Sequence, residues 1–147
     1  LQSALAADDS NAANSATTKL QSTFVSITGA TLDGATKSVW LKEQEQLDQI
    51  LKRLNAANDI TKARAEFALL SEEMLAIVQR FHVTTIGDIY ELHCPMAFEG
   101  RGATWLQAND QVKNPYYGAS MLTCADRVRK LEITAKTGAN KGGHQNE

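Results

Sequence analysis

At 147 residues the chain fits one domain, long enough to bury a core without staples. Hydrophobic residues at 43% and charged ones at 22% are ordinary for a soluble globular protein, and a formal charge of −2 lacks the basic excess that a nucleic-acid partner requires. The longest apolar candidate, Leu69 to Phe81, is interrupted by Ser71, Glu72, Glu73, Gln79 and Arg80, so it falls short of the roughly 18 to 20 residues that span a bilayer and no direct membrane insertion is expected.

The chain opens at Leu1 with neither Met nor a charged-then-apolar leader, as a mature or excised domain would. A short helix fits Leu1 to Ala7. After the capping cluster Asp8-Asp9-Ser10, the stripe Ala13, Ala16, Leu20, Phe24 and Ile27 predicts a first long helix ending near Gly29. Asp33 and Gly34 mark a turn. Beyond it Val39, Trp40, Leu47, Ile50, Leu51 and Leu54 recur at helical steps, with Lys42, Glu43, Glu45, Asp48, Lys52 and Arg53 read as the solvated face. Asn55 to Asp59 breaks this second helix, and Asp59 is placed to cap a third, whose stripe is Ala63, Phe67, Leu70, Met74, Ile77, Val78 and Phe81.

Three long helices and a short one joined by short connections predict a mainly α, antiparallel up-and-down helical bundle. Beyond Phe81 the pattern changes. Ile86 to Cys94 and Ala103 to Leu106 read as short strands around the turn Glu99-Gly100-Arg101-Gly102, or as an irregular loop over the bundle. Ser120 to Leu131 reads as a last short helix. From Thr134 no apolar periodicity remains, which divides the chain into a domain over 1–133 and a flexible tail over 134–147.

The chemistry concentrates between His93 and Cys124, which hold both cysteines and two of the three methionines. Thiolate and thioether sulfurs are soft donors suited to Cu(I), and imidazole is an acceptable companion. Cys94 and Met96, two apart, share a face if extended, while Met121 and Cys124, three apart, share a face of a helical turn. Each pair is a half-site of a metal centre. The same residues also read as a Cys94–Cys124 disulfide with packed methionines, or as a reactive thiol, and spacing alone ranks the disulfide first. His82, at the end of the third helix, reads as a capping or partly buried histidine, and His144 lies in the tail. Met74 falls on a core stripe. Trp40 and Trp105 read as packing residues, Trp105 also being placed to shield a Cu(I) site. No phosphate loop, His-Glu-x-x-His pair or nucleophile elbow is present, and adjacent His93 and Cys94 point apart in an extended chain, so a non-enzymatic role is expected.

The segments His93-Cys94-Pro95-Met96-Ala97, Gly102-Ala103-Thr104-Trp105-Leu106, Asn114-Pro115-Tyr116-Tyr117-Gly118 and Met121-Leu122-Thr123-Cys124 resemble an uncharacterised exported bacterial domain linked to heavy-metal efflux. That domain ends periplasmic adaptor subunits of CusB-like copper and silver pumps and also occurs free-standing. Ala4 to Asp9, Arg64, Phe67, Leu70 and Ser71 extend the resemblance, which covers about residues 1–133. It implies a periplasmic or otherwise exported domain that buffers copper(I) or silver, or delivers it to an efflux adaptor or pump component. The implied ligands are Cys94, Met96, Met121 and Cys124, with His93 a less secure match. The alternative is a non-metal interaction module of such an adaptor, stabilised by a Cys94–Cys124 disulfide. One departure is Ala125, where the family commonly has Gly, and a positive φ there would strain the turn.

Overall fold

Asp9, Asp33 and Asp59 each precede an amphipathic stretch, and in the computed structural model each caps a helix. Their carboxylates accept from the backbone N–H of Ala12 at 2.9 Å, Thr36 at 3.0 Å and Lys62 at 2.8 Å, satisfying donors that a helix start leaves unpaired. The structure describes residues 1–81 and 87–132; His82, Ile86, His144 and the tail read over 134–147 lie outside the described residues.

Helix α1 spans Gln2–Ala6, α2 Ser10–Ser26, α3 Gly34–Asn55 and α4 Ile60–Phe81. Helix α1 packs on α2, α2 on α3 and α3 on α4, giving the up-and-down bundle. Most of the expected stripe residues form its core, Phe24 from α2, Trp40, Leu47, Leu51 and Leu54 from α3, and Phe67, Leu70 and Ile77 from α4, whereas Ile27, just past the end of α2, and Val39 are exposed. Glu43 departs from its expected solvated position. It is buried against α4, where the Arg80 guanidinium pairs with its carboxylate.

Both candidate strands form: β1 is Tyr90–Cys94 and β2 Ala103–Gln107. The helix expected over Ser120 to Leu131 does not. A 3-10 turn, Gly118–Ser120, gives way to a third strand, β3, at Arg127–Lys130, and the antiparallel sheet runs β2-β1-β3. The reason is Glu91, on β1. It is only 4% exposed, and Arg127 and Arg129 both pair with its carboxylate. Residues two apart reach the same side only in a strand, so burial of this charge with two cations selects β over α.

Alternation along β1 separates two environments. Leu92 and Cys94, fully buried, join the bundle core together with Trp105 of β2, which packs on α4, while Glu91 and His93 take the other face. A polar clamp fastens this region to the helices. Arg64 of α4 donates to the carbonyls of Pro115 at 2.7 Å and Leu5 at 2.9 Å and to Asp8 at 2.6 Å, while the other Asp8 oxygen accepts from Ala119 N–H at 2.8 Å.

Candidate functional site

Cys94 ends β1, and the chain then reverses through an unusual turn, Ala97–Gly100. Phe98 and Glu99 lie at φ 52° and 60° and Gly100 and Gly102 at 83° and 78°, a left-handed path that disfavours the first two residues. Packing holds it. The Phe98 ring meets Tyr116 edge-on at 5.5 Å, and the Arg101 guanidinium lies 5.8 Å from the Phe98 centroid. Gly102 is required for a different reason: a Cβ there would come within 2.6 Å of His93 Nε2.

The second cysteine is placed by Asn114, which is fully buried. Its amide donates to the Cys124 carbonyl at 2.8 Å, its side-chain oxygen accepts from Tyr116 N–H at 2.8 Å and Tyr117 N–H at 3.3 Å, and its own N–H donates to Leu122 O at 2.8 Å. One side chain thus binds both ends of the 114–124 loop. Tyr117 Oη donates to the Met96 carbonyl at 2.6 Å, and Tyr116 Oη donates to the Thr104 carbonyl; burial raises the Tyr116 pKa. These contacts bring the loop against the end of β1.

The result is a pair of free thiols, Cys94 Sγ and Cys124 Sγ, 3.0 Å apart. A disulfide bond is about 2.05 Å long, so closing it requires movement of about 1 Å. The hydrogen bond to Cys94 and then burial push the Cys124 thiol up, while the Met96 backbone N–H pulls it the other way. Oxidation would release two protons and two electrons to an acceptor, forming one S–S bond. With the cysteines 30 positions apart, such a link stabilises the fold by about 3.5 kcal/mol in the loop-entropy account.

The remaining sequence-derived ligands are not drawn into the pair by the same contacts. Met96 is 53% exposed and contributes its backbone at both ends. Met121 is half-buried, at φ −148°, and its carbonyl accepts from Cys124 N–H at 3.1 Å, so the two lie across a tight turn rather than along a helix. His93 takes the β1 face opposite Cys94, with Nδ1 2.7 Å from the Asp126 carboxylate, a bond that holds the Asp126 pKa down. Ala125 does not have positive φ, so the departure from Gly causes no strain.

Among the described residues no group of three or more His, Cys, Asp and Glu side chains is placed to hold a metal ion. Two thiolates on a tetrahedral ion with metal–sulfur bonds of about 2.3 Å sit about 3.8 Å apart, so this pair would have to spread to hold one. Sequence reasoning missed Asp126, and it placed Asn114 only within the Asn-Pro-Tyr-Tyr-Gly segment, a turn that presents Met121 and Cys124, without singling out its side chain. The signal for Asn114 was the Asn-Pro step, but its burial depends on a loop closing ten residues later.

The profile of a family described as Protein of unknown function (DUF3347) matches residues 1–85. The match covers the bundle and stops before β1. No curated protein and no solved structure matches the chain.

Proposed function

The chain belongs to the DUF3347 family of proteins of unknown function, and we propose that it is a non-catalytic protein-interaction module whose C-terminal region is stapled by a Cys94–Cys124 disulfide. The observation that carries this reading is the 3.0 Å approach of two sulfurs on a folded scaffold, with no third His, Cys, Asp or Glu side chain among the described residues completing a metal cluster. Disulfides persist in oxidising compartments, so the reading places the chain in the periplasm or otherwise outside the cytosol. By the sequence resemblance, its partner is an efflux adaptor or pump component. No catalytic role is assigned, because the His93 imidazole is on the strand face opposite Cys94.

A second reading keeps the sulfurs reduced and uses them for copper(I) or silver. It is favoured by one observation: both thiols are already side by side, and Met96 and Met121 lie within three residues of them in sequence. Cys94 and Cys124 would then be the thiolate donors, with Met96 and Met121 swinging inward and His93 released from Asp126.

Intact-mass measurement with and without reductant, paired with metal analysis after exposure to Cu(I) and a competing chelator, separates the two. The disulfide reading expects a chain two hydrogens lighter than its reduced form and no retained copper. A reduced chain that retains one equivalent of copper, and loses it in the Cys94→Ser, Cys124→Ser double variant, overturns it in favour of metal handling.

A further inference from the structure

The two cysteines of the pair differ in access. Cys94 ends β1 on the face that joins the bundle core with Leu92 and Trp105, and it is 0% exposed. Cys124 is only partly buried. Leu122 and Thr123 just before it are exposed, as is Met96, whose backbone N–H meets its sulfur. The Cys124 backbone is fixed inside the loop: its N–H donates to the Met121 carbonyl at 3.1 Å and its carbonyl accepts from the Asn114 amide at 2.8 Å. The pair is thus an enclosed sulfur 3.0 Å from one on a partly exposed residue.

Exchange between thiols and disulfides follows access as well as ionisation. The attacking, central and leaving sulfurs lie roughly in line, so a reacting sulfur needs an open approach from outside. Core packing denies that approach at Cys94. Ionisation does not reverse the order, because the sulfurs are within hydrogen-bond reach and a proton passes between them. Once an outside sulfur is bonded to Cys124, however, Cys94 is already beside the new bond, and its attack is intramolecular.

We infer that the Cys94–Cys124 bond is made by exchange with an external small-molecule disulfide of the glutathione type, with Cys124 the entry sulfur and Cys94 the resolving one. The Cys124 thiolate attacks one sulfur of the external disulfide, whose S–S bond breaks as the first small thiolate leaves. This leaves a mixed disulfide at Cys124. Cys94 then attacks Cys124 Sγ, the mixed bond breaks, and the second small thiolate leaves. The two cysteines lose two electrons, which the external disulfide gains, and their two protons end on the two small thiols released. Opening retraces these steps, so an external thiolate also meets Cys124 first. The inference rests on the disulfide reading of the pair and adds to it the order of reaction and the class of oxidant.

Glutathione disulfide is the probe, added in excess to the reduced full chain and to its single-cysteine variants, with intact mass and peptide mapping as the readout. Cys94→Ser is expected to trap one glutathionyl group at Cys124, and Cys94→Ala, which brings no polar group into the core, should trap it equally. Cys124→Ser should take the group at Cys94 about tenfold more slowly or less. In urea the two single variants should react within about twofold of each other, which ties the difference to the fold. The unaltered chain should pass to the internal disulfide with little adduct accumulating. An internal disulfide that forms while folded Cys124→Ser reacts as fast as Cys94→Ser overturns the order of reaction and leaves the disulfide reading standing. An unaltered chain that keeps its glutathionyl group and never closes the internal bond overturns both.

Discussion

The bundle and the C-terminal sheet region are held together differently. In α2 to α4 the buried positions repeat every three or four residues and are mostly aliphatic or aromatic, so cohesion is spread over many interchangeable contacts. Between Tyr90 and Lys130 the arrangement depends on a few polar groups that each tie several partners together: Asn114 across its loop, Glu91 under two arginines, and Arg64 with Asp8 across the junction. The difference teaches where function is built. A diffuse apolar core tolerates change, whereas a region pinned by individual hydrogen bonds places two sulfurs at a defined distance and loses that distance when one pin is removed.

The sharpest test removes a core side chain from the bundle. Leu51 is fully buried, and Leu51→Ala should lower unfolding free energy by about 3 kcal/mol in urea titration, through lost transfer energy and the cavity left behind. The thiol–disulfide equilibrium with glutathione, measured under folding conditions, should stay within about twofold, because cohesion there is local to the loop. Asn114→Ala should cost less overall, about 2 kcal/mol, by leaving buried N–H and C=O groups unpaired. Its effect on that same equilibrium should be larger, a shift of about tenfold toward the reduced pair, equivalent to about 1.4 kcal/mol. If Asn114→Ala lowers stability while the equilibrium stays put, the contrast between the regions fails.

The smallest effect concerns the junction and is read by pH. The Asp8 carboxyl is held below its usual range, first by Ala119 N–H and then by Arg64. Its folded pKa is therefore below the unfolded one, so its contribution is fully present above the unfolded value of about 3.9 and is lost as pH falls through the lower folded value. Asp8→Asn should flatten the acid limb of the stability curve below about pH 4, with little change at pH 7 in the slope of stability against pH. A limb of unchanged steepness would show that the clamp does not couple the two regions.

The helices were legible because each signal for them is local. An Asp cap and an apolar stripe lie within one segment, and α2, α3 and α4 begin one residue after Asp9, Asp33 and Asp59. Strand β3 was not, because all four of its residues are exposed and its reason for existing, Glu91, is nearly forty positions earlier. The same limit affected the half-sites. An extended Cys94-Pro95-Met96 would have put both sulfurs on one face, but the chain turns at Met96 and leaves its thioether exposed. A helical turn at Met121 was a fair reading of a three-residue spacing, and the loop closed by Asn114 imposes a different backbone.

Composition and periodicity were enough to specify a helical bundle and to single out the segment from His93 to Cys124, since both follow from residue types and their spacing along a few turns. Which of those side chains meet was settled by packing at long range. Cys94 and Cys124 converge because Asn114, Tyr117 and the Arg64–Asp8 clamp fold one loop onto the end of β1, and strand alternation turns His93 to the opposite face. Contacts between positions thirty apart depend on where the intervening chain can satisfy its buried polar groups, and that is decided in three dimensions.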